Sequence, residues 1–366
     1  MAGKFEIGVF LPSVSRAWFH SQNTPYLPGS FAHTVHVAQG AELYGYDFVL
    51  SPQNWRGSHG TSGYWRNTVD SIALTGALLQ ATSRIQVWGT AHCTVFPPAV
   101  VASIWSSFAE IGPGRVGLNI VTGGHMSSLD SLGIWDDELQ HDERYDMADE
   151  WIEVIKRLWT EEGFDHEGRY FKLWDALMAP KPTQRPTLVN AGASPRGFEF
   201  AVENCDVAFM MCGDDPRFIE SAKKSKEVAR EKGKEDFKTF GLFTLVPGET
   251  DDEACALRDW IESGVDTEGL VDIAEGYKMN KKGLNKLSSS SLAPLGGDEY
   301  HSFLPGMMAG SYEALAERIG KVVTEAEIDG MMLVVPDYNE HLQKLALRTF
   351  PKLKDFGLDV AVGADL

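Results

Sequence analysis

The residues best suited to chemistry in this chain gather where apolar runs end. One run closes on Leu11-Pro12-Ser13, a second on Ser51-Pro52-Gln53-Asn54 and a third on Thr90-Ala91-His92-Cys93-Thr94. A fourth closes on Asn119-Ile120-Val121-Thr122-Gly123-Gly124-His125 and a fifth on Asn190-Ala191-Gly192-Ala193-Ser194-Pro195-Arg196. Amides, hydroxyls and imidazoles dominate these ends, and carboxylates are scarce. Such a set suits a flat polar molecule with many acceptors and argues against a metal site of several carboxylates. Ser194-Pro195-Arg196 reads as a helix start, because serine caps well, proline suits the first turn and the free amides there attract anions. Phosphate is the natural guest; the plain alternative is a cap beside a surface arginine. His141-Asp142-Glu143-Arg144-Tyr145 precedes another helix, where acids favour the amino end and Arg144 and Tyr145 are candidates to contact a ligand. His92 and His125 sit at the same ends, placed for proton transfer or for bonding a loop. His33 and His36 share a helix face but have no third partner in view, so no metal is expected. No G-x-S-x-G, H-E-x-x-H or P-loop motif occurs.

These ends need a scaffold. Phe5–Pro12, Tyr46–Ser51, Ile85–Cys93, Val116–Val121, Thr187–Ala191, Val207–Met211, Phe240–Val246 and Met331–Val335 read as strands. Helical patterns lie between them, at Phe31–Tyr44, Thr68–Ala81, from Pro97-Pro98 to about Ile111, and at Arg144–Thr160 in the first half. Eight near-continuous apolar strands alternating with helices predict a buried parallel sheet. The count of eight, and the lack of a G-x-G-x-x-G turn after the first strand, favour a closed (β/α)8 barrel over an open sheet. The reading is therefore an α/β protein, one TIM-barrel domain over residues 1–366. Two insertions interrupt it: 164–186, rich in aromatics and proline and read as a hairpin, and 267–309. The second has loop composition, with Lys281-Lys282, Ser288–Ser291, Pro294 and Gly296-Gly297, and is read as a lid over the strand ends or a surface excursion.

The chain has 366 residues, 43% hydrophobic and 23% charged, which excludes long disorder. Thirty-three basic against fifty-two acidic side chains give a net charge of −19. A surface that acidic repels phosphate backbones and anionic lipid, so nucleic-acid and membrane partners are not expected. The first residues lack a basic region followed by a long apolar stretch, and the four cysteines form no close C-x-x-C pair. Cys205 and Cys212 read as buried thiols, and the expected location is cytoplasmic.

Several segments resemble, in order, those of bacterial luciferase-like flavin monooxygenases. They are Thr82-Ser83-Arg84-Ile85, Gly114-Arg115-Val116-Gly117-Leu118-Asn119-Ile120-Val121-Thr122-Gly123, His141-Asp142-Glu143-Arg144-Tyr145, Pro180-Lys181-Pro182-Thr183-Gln184-Arg185-Pro186 and Gly310-Ser311-Tyr312. Within that group the chain looks most like the pyrimidine ring-opening monooxygenases, with dimethylsulfone monooxygenases next. The resemblance implies a luciferase-like barrel that binds reduced FMN, delivered by a separate NAD(P)H-dependent flavin reductase, and uses O2. It implies FMN contacts at Gln53, Asn54, Asn119, Arg144, Tyr145 and Ser194. Ser128 aligns with a further contact that is acidic in those enzymes. Three departures stand out: Val95 replaces a threonine beside the oxygen pocket, Gly124 replaces a tryptophan, and His92 and His125 are additional polar groups. On this basis Asn119 is expected to position oxygen or the flavin, and His92 and His125 to polarise substrate or transfer protons. The expected substrate is a small planar N-heterocycle or cyclic amide, opened by oxygenation at a carbonyl carbon. Oxygenation of a sulfone or alkanesulfonate, deazaflavin-dependent hydride transfer and a non-catalytic flavin-binding subunit are the alternatives, and a homo-oligomer is expected.

Overall fold

Short β-rich runs separated by helices that cap cleanly give the chain its alternation. In the computed structural model, which describes residues 4–123, 126–136, 138–192, 194–211, 215–278 and 307–363, that alternation closes on itself. The first half runs β1 (Glu6–Phe10), α1 (Phe31–Leu43), β2 (Phe48–Leu50), α2 (Ser71–Ala81), β3 (Gln86–His92), α3 (Pro98–Ile111), β4 (Val116–Val121), α4 (Met126–Asp130) and α5 (His141–Thr160). After the hairpin of β5 (Phe164–Glu167) and β6 (Lys172–Ala176) come β7 (Thr187–Asn190), α6 (Pro195–Asn204), β8 (Val207–Met211), α7 (Asp215–Glu231) and β9 (Lys238–Gly248). Then follow α8 (Asp251–Glu262), α9 (Thr267–Lys278), β10 (Met307–Ser311), α10 (Tyr312–Glu325), β11 (Gly330–Val334) and α11 (Tyr338–Lys344).

Strands β1, β2, β3, β4, β7, β8, β9 and β11 pair in parallel in that cyclic order, with β11 returning to β1. This is the (β/α)8 barrel expected from the strand count. β5 and β6 form the expected antiparallel hairpin. A ninth parallel strand was not anticipated: β10 pairs with the upper half of β9, Met307 opposite Thr244 through Ser311 opposite Gly248.

Beyond shifts of one or two residues at several strand and helix ends, three boundaries differ from the sequence reading. Helix α2 starts at Ser71 rather than Thr68, because the Val69 amide bonds the Ser13 carbonyl while Asp70 caps the helix by accepting from the Ile72 and Ala73 amides. Helix α5 starts at His141 rather than Arg144, behind a capping box formed by Gln140 and Glu143. The segment 267–309 is not loop throughout: its first twelve residues are α9, and its last three belong to β10. Residues 279–306 lie outside the described residues, as does Cys212; Cys205 is buried as expected.

Side-chain parity organises the barrel interior. Successive strand residues face opposite sides of a sheet, so a residue that meets the axis fixes its neighbours two positions away. Phe48, Trp88, Phe209 and Phe240 meet one another across the barrel, with Phe48 and Trp88 stacked at 4.0 Å. Four rings fit one layer because Gly8, Gly117 and Gly330 face them. A Cβ at those positions would lie 2.2 Å from the Phe48 ring, 2.3 Å from Trp88 and 2.8 Å from Phe240. This aromatic layer is a floor, and everything two residues further along each strand stands above it, at the carboxyl ends.

Candidate active site

Two residues above Gly117 on β4 stands Asn119, and opposite it in register on β3 stands Thr90. Both are buried. The Thr90 hydroxyl donates to the Ser51 carbonyl at 2.7 Å, so its oxygen has only an acceptor's role left for Asn119. The Asn119 Nδ2 donates to it at 3.1 Å, which fixes the amide orientation and leaves Oδ1 as the free end. Oδ1 is buried and meets no donor among the described residues. Ser51 and Ser71 brace this arrangement: their hydroxyls lie 2.6 Å apart, and the Ser71 Oγ accepts from the Thr90 amide at 2.8 Å. A buried acceptor left unpaired costs about 1–3 kcal/mol, so the orientation is retained against a penalty that a ligand N–H would remove.

His92 stands two residues above Thr90. Its ring is buried beside Trp55, edge-on at 4.9 Å, and Trp55 in turn neighbours Phe96 at 6.3 Å. Burial lowers its pKa to about 4, outweighing hydrogen bonds to the backbone of Gln53 and Gly123 that favour the charged form. The ring is therefore neutral near pH 7. Its Nδ1 is buried and has no partner among the described residues. His125, the other expected imidazole, lies outside the described residues.

A second pole forms where β4, α5 and α6 meet. Ser194 caps α6, its Oγ accepting from the Gly197 amide at 3.0 Å, with Pro195 in the first turn. The buried Tyr145 hydroxyl reaches this helix end and hydrogen-bonds Thr122 and Ser194. It fits because Gly192 and Gly197 lack side chains; a Cβ would come within 2.7 Å and 2.2 Å of that oxygen. Arg144, 4% exposed, lies alongside, with one hydrogen bond to the Leu139 carbonyl at 2.9 Å and its guanidinium 5.3 Å from the Trp135 ring centre. No carboxylate among the described residues pairs with it. Burial lowers its pKa, the direction expected of a cation short of partners. Arg196, expected to share the phosphate with Ser194, is turned instead to Asp146 and Asp149 on α5, which neutralise it.

The remaining expected contacts sit in the loops over the mouth. Gln53 is buried with its carboxamide committed to the start of α2, accepting from the Ser71 amide and donating to Asp70. Asn54 donates to the Arg56 carbonyl. The Ser128 hydroxyl accepts from the Trp55 amide at 3.1 Å, tying the β4 loop to the β2 loop. Arg56 extends this tie, donating to Ser127 at 2.7 Å and to Asp272 on α9 at 2.9 Å. Asp266, at the head of α9, accepts from the Ser62 and Gly269 amides at 2.8 and 3.0 Å, so α9 is pinned to the β2 loop. Of the residues expected from the sequence, the structure places Asn119 and His92 at one pole and Arg144, Tyr145 and Ser194 at the other. The sequence reading missed Thr90 as the group that orients Asn119. It also missed Trp18, whose indole nitrogen is buried without an acceptor among the described residues.

The luciferase-like monooxygenase family matches residues 5–340. Pyrimidine monooxygenase RutA of Caulobacter segnis is 30% identical over 351 residues, covering 95% of this chain and 99% of the relative. Among solved structures, riboflavin lyase RcaE with modified FMN and riboflavin superposes with a TM-score of 0.79 at 21% identity, covering 98% of this chain and 93% of that one. Long-chain alkane monooxygenase LadA superposes with a TM-score of 0.78 at 22% identity, over the same shares. The chain belongs to the luciferase-like monooxygenase family and is an enzyme of that class. Among the described residues no helix is long and apolar enough to cross a membrane.

Proposed function

We propose that this enzyme binds reduced FMN and uses it with O2 to oxygenate a small, neutral cyclic amide or N-heterocycle with ring cleavage. The observation that carries the cofactor is Arg144, a buried guanidinium with no carboxylate partner among the described residues, beside a capped helix start and three converging hydroxyls. A phosphate group answers all of these at once: charge for Arg144, the positive end of the α6 dipole, and hydroxyls from Thr122, Tyr145 and Ser194. The orphaned Asn119 Oδ1 fits an N–H of a flavin edge or of a substrate. Reduced FMN, when bound, supplies the electrons that activate dioxygen. The chain itself binds, orients and excludes water. Thr90 and Ser51 hold Asn119 in one orientation. Trp55 and Phe96 wall the mouth beside His92, whose neutral ring presents an unpartnered Nδ1 to a substrate amide.

Relatives named pyrimidine monooxygenase support the cyclic-amide reading, and the charges of the mouth support it independently. A sulfonate needs uncommitted cations. Among the described residues, Arg56 is paired with Asp272, Arg196 with two aspartates, and Arg16 with the Ser62 and Gln22 carbonyls and Thr24. Delivery of reduced FMN by a partner reductase completes the proposal. Titration with FMN, reduced FMN and a deazaflavin tests the cofactor; affinity no tighter than millimolar for all three removes the reading. Oxygen uptake with a flavin reductase, screened against uracil, other cyclic amides, dimethylsulfone and alkanesulfonates, tests the substrate. Turnover of sulfur compounds alone would replace the substrate class and leave the flavin assignment standing.

A further inference from the structure

We propose that Trp18 sets substrate specificity, its buried indole N–H donating to the carbonyl oxygen of a flat cyclic amide held in the barrel mouth. The proposal rests on the oxygenase reading above and names a determinant within it. Phe10 ends β1 two residues above the inward-facing Gly8, so its ring belongs to the layer above the aromatic floor. Trp18 packs edge-on to Phe10 at 5.0 Å and to Trp65 at 5.5 Å, which places it over that layer at the mouth. An indole N–H can only donate, and this one is buried with no acceptor among the described residues.

The backbone that presents Trp18 is strained in a consistent way. Arg16 and Ala17, the two residues before it, have φ of 67° and 47°, and Trp65 has φ of 54°. Left-handed geometry at non-glycine residues is unfavourable and persists only where the surroundings enforce it. Here they do. The Arg16 side chain donates to the Ser62 carbonyl at 2.9 Å and to Thr24 Oγ1 at 2.6 Å. Trp65 donates its amide to the Ser15 carbonyl at 3.0 Å and its indole N–H to the Ala17 carbonyl. Two tryptophans thus meet at one point: Trp65 has its donor satisfied by the protein, whereas Trp18 has its donor left open. In the layer above the floor, Asn119 Oδ1 is an open acceptor, and His92 Nδ1 above it is unpartnered among the described residues. An amide carries N–H and C=O on adjacent ring atoms and satisfies both kinds of group. A substrate with oxygens alone satisfies only Trp18.

The test uses the full chain with reduced FMN supplied by a flavin reductase, and uracil with a panel of cyclic amides as probes. Wild type is compared with Trp18→Phe and with a chain carrying 3-benzothienylalanine at position 18, which keeps both rings and replaces the N–H by sulfur. The expected result is a KM for the amide raised about tenfold to a hundredfold in both variants, with kcat and FMN affinity within twofold of wild type. A KM unchanged in the benzothienylalanine chain overturns the proposal while leaving the oxygenase reading intact. Should Trp18→Phe lose FMN binding through altered packing, the benzothienylalanine chain decides alone. If wild type binds reduced FMN but consumes oxygen with no cyclic amide, the substrate reading falls and this proposal with it.

Discussion

Asn119 is held by a chain of single-purpose bonds, and that is what makes its role testable. Thr90 gives its hydrogen to Ser51 and its lone pair to Asn119, so turning the amide breaks a buried bond and sets Oδ1 against an oxygen with no hydrogen to give. Asn119→Ala should leave the aromatic floor intact and remove the acceptor above it. The expected outcome is uncoupling: hydrogen peroxide per O2 consumed rises while oxygenated product falls. Coupling equal to wild type would strip Asn119 of that function. His92 predicts a pH effect of defined sign. Its folded-state pKa of about 4 lies below the 6.5 of an unperturbed imidazole, so the unfolded chain binds more protons in that window. Stability is therefore lost as pH falls from 6.5 towards 4, by about 2 kcal/mol at pH 5 from this group. Urea unfolding at pH 7 and pH 5 should show a smaller acid-induced loss in His92→Gln than in wild type. An equal loss in both would mean that the imidazole is not buried in its neutral form.

At the scale of elements, legibility followed how local the determining forces are. All eight barrel strands were visible because a buried parallel strand needs only a short apolar run, and that information is contiguous. The start of α5 was misplaced because Gln140 is a weak cap by residue type, and its capping box works through Glu143 three residues later. The ion pairs of Arg196 escaped because Asp146 and Asp149 lie on another helix, which only the folded barrel brings alongside. Tyr145 and Ser194 were each recognisable, but not that they converge, since convergence depends on Gly192 and Gly197 leaving room where α5 and α6 cross. This makes Gly197 a sensitive position. In Gly197→Ala the new Cβ would sit 2.2 Å from the Tyr145 oxygen, so one of the two helices must shift. FMN affinity should fall at least tenfold, with about 1–3 kcal/mol of destabilisation from overpacking. Removing the hydroxyl in Gly197→Ala/Tyr145→Phe should recover part of the stability but not the affinity, because the Tyr145 ring carbon and the Gly192 Cα stay 2.8 and 3.0 Å from the new Cβ. Loss of both in the double variant would place the damage elsewhere in α6.

For the whole molecule, closure of the barrel and the height of the site have one cause, the exchange of ring against glycine on the interior. Four aromatic side chains from β2, β3, β8 and β9 fill a single layer only because β1, β4 and β11 offer no side chain there. The open-sheet alternative would give these glycines no such purpose. Filled in this way, the floor pushes the first polar layer, Thr90 and Asn119, up to the strand ends, where loops can reach a ligand. The arrangement is testable by a cycle at Gly8 and Phe48. Replacing a strand glycine by alanine ordinarily stabilises, by about 0.4–1 kcal/mol, through the unfolded chain. Here the added Cβ would meet the Phe48 ring at 2.2 Å, deep among buried rings, and overpacking at about 1–3 kcal/mol should reverse the sign. Gly8→Ala should therefore lower the urea midpoint. Phe48→Leu should lower it too, by leaving part of the layer empty. Combined, the two should be less damaging than their sum, because the smaller side chain vacates the space that the methyl group needs. Strict additivity would show that Gly8 and Phe48 do not share the layer, and with that the account of why the polar site stands where it does would fail.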